Sequence, residues 1–124
     1  MCSLGTRVLV VEDDVAIRDT LVEVLEDEGF QVVWAANGAE ALASLKAGHL
    51  PDVILLDVMM PVMDGFAFRQ LQRKDPRLAR IPTVVLTAGS GVEARLDALA
   101  PHAFLPKPFE LGQLIDTVER LAAA

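Results

Sequence analysis

Glu12, Asp13, Asp57, Thr87 and Lys107 each stand at the carboxyl end of an apolar run. Val8-Leu9-Val10-Val11 stops at Glu12-Asp13, and Val53-Ile54-Leu55-Leu56 stops at Asp57. Thr83-Val84-Val85-Leu86 stops at Thr87, and Ala103-Phe104-Leu105-Pro106 stops at Lys107. Short runs rich in β-branched residues and separated by helix-like stretches read as buried parallel strands. In a parallel sheet the carboxyl ends of all strands share one edge. Carboxylates, a hydroxyl and an ammonium from distant parts of the chain are therefore expected in one crevice.

The chemistry of such a crevice follows from its groups. Strands one and three, if adjacent, bring Asp13 and Asp57 within one strand spacing, roughly 5 Å, with Glu12 close by. Carboxylates this close repel unless a cation intervenes. Oxygen-only ligands without His or Cys select a hard cation, Mg²⁺ in preference to Ca²⁺. A site that also holds an ammonium and a hydroxyl suits a transferring phosphoryl group, whose oxygens need positive charge while a nucleophile is held in line. A carboxylate can be that nucleophile through an acyl phosphate. Asp57 is the first choice because it ends the most continuously apolar run, expected to be the central strand. Asp13 and Glu12 then serve the metal.

Taken singly, each residue has a plainer role open to it. A lone Asp after a strand usually caps a helix or sits in a solvated turn, and Asp14 is expected to cap the first helix. A lone Thr at a strand end is commonly structural, and Lys107 alone would be assigned to solvent. Their joint occurrence at four strand ends carries the reading.

The elements that must position these residues alternate. After strand one, Ile17, Leu21 and Val24 or Leu25 recur at helical spacing, and Gly29 supplies a stop. Phe30–Ala35 reads as a second strand, and Asn37-Gly38 turns into a helix carrying Ala41, Leu42 and Leu45, ended by Gly48. Asp64-Gly65 opens a helix with Phe66, Phe68 and Leu71 as packing residues and Asp75-Pro76 as its terminator. Gly89-Ser90-Gly91 precedes a short helix around Val92–Ala100, which Pro101 breaks. A last helix over Glu110–Leu121 has Leu114, Val118 and Leu121 on one face. The pattern predicts a single (βα)5 domain over residues 1–124: a right-handed doubly wound α/β fold with helices on both faces of a five-stranded parallel sheet. Such sheets bind ligands outside the strand carboxyl ends, where the winding reverses.

Composition sets the outer bounds. A chain of 124 residues that is 52% hydrophobic and 23% charged can bury one core. A net charge of −7 without a basic run argues against gripping nucleic acid. Cys2 is the sole cysteine, so no disulfide framework or thiolate metal site is expected, and it is read as inert in a frayed terminus. No stretch approaches a membrane span, which makes a cytoplasmic, membrane-free protein the default. His49 and His102 are read as exposed loop residues, Trp34 as a packing residue, and the Leu21/Val22/Leu25 stripe as core.

From Val8 to about Leu121 the chain resembles the response-regulator receiver domains of two-component signalling. The resemblance rests on Val10-Val11-Glu12-Asp13-Asp14, on Leu55-Leu56-Asp57-Val58-Met59-Met60-Pro61-Val62-Met63-Asp64-Gly65, on Leu86-Thr87-Ala88, and on Phe104-Leu105-Pro106-Lys107-Pro108-Phe109. It implies a flavodoxin-like fold with the strand order 2-1-3-4-5. It implies that Asp57 is the phosphoacceptor, charged by a histidine kinase or histidine phosphotransfer protein. Asp13 and Asp57 then ligate Mg²⁺ (or Mn²⁺ in its place), with the backbone carbonyl of Met59 as a third ligand and Glu12 acting through water. Lys107 contacts a phosphoryl oxygen, and the peptide before Pro108 is cis. Thr87 is the switch hydroxyl, with small Ala88 leaving access, and Phe104 is the aromatic that swings inward. The signal passes to a downstream protein or an output domain absent from these residues, by a monomer or a phosphorylation-dependent dimer, with no enzymatic turnover beyond self-catalysed phosphotransfer and dephosphorylation.

Two features depart from the family pattern. The segment from Thr87 to Lys107 is about two residues short, and Pro101-His102 replaces a glycine-containing turn. Both touch the usual output face. Two other readings are carried alongside. An aspartyl-nucleophile phosphohydrolase needs a second Asp two residues after the nucleophile, where Met59 stands. A pseudo-receiver acting as a binding module does not need the full acidic, hydroxyl and lysine set.

Overall fold

The computed structural model describes residues 5–48, 50–58, 62–87, 101–106 and 109–123. The apolar runs form β1 (Arg7–Val11), β2 (Gln31–Ala35), β3 (Val53–Asp57), β4 (Thr83–Thr87) and β5 (Ala103–Pro106). All four pairings are parallel and the order is β2-β1-β3-β4-β5, as the resemblance implied. The register sets Val11 opposite Leu56, Asp57 opposite Leu86, and Thr87 opposite Pro106. The chain therefore delivers the ends of β1, β3, β4 and β5 to one edge.

Side chains alternate across the sheet and build two cores. On one face Val8, Val10, Val53, Leu55, Val84 and Leu86 pack with Leu21 and Leu25 of α1 (Val15–Asp27) and with Leu114 and Val118 of α5 (Leu111–Ala123). On the other, Leu9, Val11, Ile54 and Leu56 pack with Ala41, Leu42 and Leu45 of α2 (Gly38–Lys46), Phe68 of α3 (Gly65–Lys74), and Leu78 of α4 (Pro76–Ala79). β3 is buried along its whole length, as a central strand covered on both faces must be.

The helix starts follow the capping chemistry. Asp14 Oδ1 accepts the Ile17 N–H at 3.1 Å, Asn37 Oδ1 that of Glu40 at 2.9 Å, and Asp64 Oδ1 that of Ala67 at 2.9 Å. Gly29 and Gly48, with φ of 94° and 98°, follow α1 and α2 in the left-handed conformation that ends helices.

Some expectations are corrected. Ile17 is 37% exposed and Leu71 40%, so neither is core. Arg18 and Gln72, the next residues along each helix, take the buried positions instead. Gln72 can do so because its amide finds partners: Nε2 donates to Leu78 O at 3.0 Å and to Thr83 Oγ1 at 3.1 Å. Asp75-Pro76 does end α3, but Asp75 then caps the four-residue α4, with Oδ1 accepting the Arg77 N–H at 3.0 Å. Trp34 is 49% exposed rather than packed in a core, and the Arg18 guanidinium lies 3.8 Å from its ring centre. The helix expected over Val92–Ala100, with the loop before it, lies outside the described residues, as do Cys2 and His49.

Candidate functional site

At the shared carboxyl edge the first acid, Glu12, leaves the sheet directly after β1. Its N–H donates to Ala35 O at 3.1 Å, so the crossing from β1 is pinned to the end of β2. Asp13 follows, and Asp14 is already committed to capping α1. Asp57 ends β3 one strand away. Glu12, Asp13 and Asp57 each offer a carboxylate oxygen, and these lie within 4.8 Å of one another. Glu12 and Asp57 are buried and Asp13 is exposed, so the cluster is a crevice opening to solvent on the Asp13 side.

The donor set fits a hard divalent cation: oxygen only, and fewer protein ligands than a closed cage requires. Like charges at this separation repel, and a bound cation would relieve that repulsion. Thr87 is buried at the end of β4, next to Leu86, the register partner of Asp57. Phe104 on β5 pairs with Val85 and packs, partly buried, on the small cluster of Val58 and Val85 together with Phe66. The structure thus brings Glu12, Asp13 and Asp57 together and sets Thr87 and Phe104 on neighbouring strands. Met59, Ala88, Lys107 and the peptide before Pro108 lie outside the described residues.

Three residues outside the predicted site set bear on this geometry, Gly65 and Val62 beside the carboxyl edge and His102 at the opposite one. Gly65 begins α3 against the end of β3, with its N–H donating to Val58 O at 2.9 Å. A Cβ there would sit 2.8 Å from Val58 Cα and 3.0 Å from Asp57 O, so only glycine permits the approach. Val62, in the loop between β3 and α3, is 84% exposed at φ 67°, a conformation costly for a β-branched residue. No sequence signal marks it. His102 is exposed as expected, yet it is not idle. Its Nδ1 accepts the Thr83 N–H at 3.0 Å, and its own N–H donates to Thr83 O at 3.0 Å. The unusual Pro101-His102 turn therefore closes the first rung between β4 and β5. Burial and then the Arg69 charge lower the His102 pKa below its ordinary 6.5.

A doubly wound sheet with a carboxylate cluster at its winding reversal defines the class of protein: an α/β domain with a ligand edge whose oxygen donors fit a hard cation. The family model for the response regulator receiver domain matches residues 8–119, and the chain belongs to that family. The response regulator MprA of Mycobacterium sp. (strain KMS) is 42% identical over 121 residues, covering 95% of this chain and 51% of MprA. The chain spans between about a quarter and about half the length of the curated relatives it matches. The signal receiver domain of a histidine kinase from Syntrophus aciditrophicus superposes with a TM-score of 0.89 at 34% identity, covering 96% of this chain and 91% of that one. Response regulator TrrA from Thermotoga maritima, in complex with Mg²⁺-BeF, gives 0.83 at 33% identity, covering 94% of this chain and 98% of that one. The protein is thus a receiver domain of two-component phosphorelay signalling. Among the described residues no helix is long and apolar enough to cross a membrane.

Proposed function

We propose that Asp57 is the phosphoacceptor and that Asp13, Asp57 and the Met59 carbonyl hold Mg²⁺, with Glu12 acting through water. The observation that supports this reading is the convergence of the Glu12, Asp13 and Asp57 carboxylates within 4.8 Å at the sheet's ligand edge. A carboxylate oxygen of Asp57 attacks the phosphorus of a phosphohistidine. The P–N bond breaks with its electron pair leaving on the imidazole nitrogen, and an acyl phosphate forms. Burial holds Asp57 in one orientation, and Gly65 lets α3 press against the peptide that carries it. Bound Mg²⁺ supplies positive charge to the phosphoryl oxygens, and Mn²⁺ serves in its place. Lys107 pairs with one of those oxygens and Thr87 donates to another. Phe104, packed over Val58 and Val85, then follows Thr87 inward. Water later attacks the phosphorus, the P–O bond to Asp57 breaks, and inorganic phosphate leaves the restored carboxylate, a slow self-catalysed step.

In this reading residues 1–124 form one receiver unit in the cytoplasm. It is charged by a histidine kinase or histidine phosphotransfer protein. Its output lies in a downstream protein or in an output domain, reached as a monomer or through a phosphorylation-dependent dimer. The test is intact-mass measurement after incubation with acetyl phosphate and Mg²⁺. One phosphoryl group should add to the wild type and none to Asp57→Ala, and chelation of the metal should abolish labelling. Equal labelling of the two proteins would assign the acceptor elsewhere.

A further inference from the structure

Residues 69–80, which form most of α3 and all of α4, concentrate positive charge in an acidic molecule. Arg69, Arg73, Lys74, Arg77 and Arg80 are five of its eleven basic residues, and Asp75 is the one acid among them. This segment carries a net +4, while the other six bases and seventeen acids leave −11 elsewhere. All but Arg69 of these cations are exposed. The negative end of the α3 dipole favours Arg73 and Lys74 where they stand. It does not reach Arg77 on the single turn of α4 or Arg80 just after it. The cations act on one another: burial and then the Arg73 charge lower the Arg69 pKa to about 10.

The segment is also held rigidly. Gln72, Leu78 and Thr83 are fully buried, and the Gln72 amide ties the α3 end to the Leu78 carbonyl and the Thr83 hydroxyl. Arg77 and Arg80 are thus displayed from a fixed backbone, which lowers the ordering cost of binding. They flank a cleft of about 450 Å³ whose other walls include Leu50, Pro82 and Leu121. The cleft lies at the amino-terminal edge of the sheet, away from Glu12, Asp13 and Asp57.

We propose that this cleft docks an acidic protein segment, with carboxylates on Arg77 and Arg80 and an apolar side chain between Leu50, Pro82 and Leu121. The guanidinium fork matches a carboxylate in two contacts. A nucleic acid fits less well: none of the lining residues is aromatic, so no base stacks there, and an extended phosphate chain meets more of the −11 elsewhere than a short acidic segment does.

The test is isothermal titration calorimetry at low salt, with a short synthetic peptide of glutamates and leucines as the probe. Matched peptides with Gln for Glu or Gly for Leu, and an oligothymidylate, serve as comparators. The Glu/Leu peptide should bind the wild type and lose roughly tenfold or more in affinity to the double variant Arg77→Glu/Arg80→Glu. The milder Arg77→Gln/Arg80→Gln should fall between, with urea midpoints near wild type for both. Both peptide replacements and added salt should also weaken binding. Asp57→Ala should bind like the wild type, which separates this site from phosphoryl transfer. Undiminished binding to the double variants, no binding at all, or tighter binding of the oligothymidylate would overturn the proposal.

Discussion

Val62 shows how much one residue can say about a loop. Its φ of 67° places a β-branched side chain where L-residues pay sterically, about 1–2 kcal/mol. Glycine escapes that clash but loses more freedom on folding, about 0.5–1 kcal/mol. Val62→Gly is therefore expected to raise the urea midpoint by an amount equivalent to about 0.5–1 kcal/mol. A midpoint that stays level or falls would mean that this conformation carries no strain. Gly65 works in the opposite sense. Its missing Cβ is what lets α3 begin against the Asp57 carbonyl. In Gly65→Ala the obstacle is backbone, which cannot rotate away, so a loss of about 1–3 kcal/mol is expected. The readout is the urea midpoint together with the acetyl phosphate labelling rate, and both should fall. An unchanged labelling rate would separate Gly65 from the Asp57 geometry.

At the scale of elements, what was legible in the sequence follows the strength of its physical signal. β1, β3 and β4 announce themselves because buried parallel strands must be almost wholly apolar. Their carboxyl ends carry Glu12, Asp13, Asp57 and Thr87, so the acidic cluster came with them. α1, α2 and α3 were marked by Asp14, Asn37 and Asp64, whose side chains have no better use than capping. α4 was not legible: four residues are too few for a period, and Asp75-Pro76 is an equally good helix end and helix start. Burial of Gln72 was hidden because a polar residue goes inside only where partners wait, and Leu78 and Thr83 are supplied by later elements. The positive charge of residues 69–80 can be counted in the sequence, but the cleft it borders could not be. Its walls come from Leu50, Pro82 and Leu121 as well as from Arg77 and Arg80, and only folding gathers them.

For the whole molecule, acid should loosen the fold partly through His102. Its folded pKa lies below the ordinary value, first from burial and then from Arg69, and its Nδ1 accepts the Thr83 N–H. The unfolded chain therefore takes up the proton first. The stability contributed is fully present above about pH 6.5 and is lost as pH falls from there through the folded value. Because His102 is exposed, the loss is small. Urea midpoints at pH 7.5 and 5.5 should differ more in the wild type than in His102→Asn, and identical differences would remove His102 from the account. The stacking of Arg18 on Trp34 has an optical consequence. Trp34 is the sole tryptophan and the chain has no tyrosine, so essentially all near-ultraviolet emission comes from one indole. That indole stands on the edge strand beside Ala35, whose carbonyl holds Glu12, and under a guanidinium from the helix that follows Asp13. The molecule carries a built-in single-site chromophore one residue from the carbonyl that holds Glu12, readable in unlabelled protein.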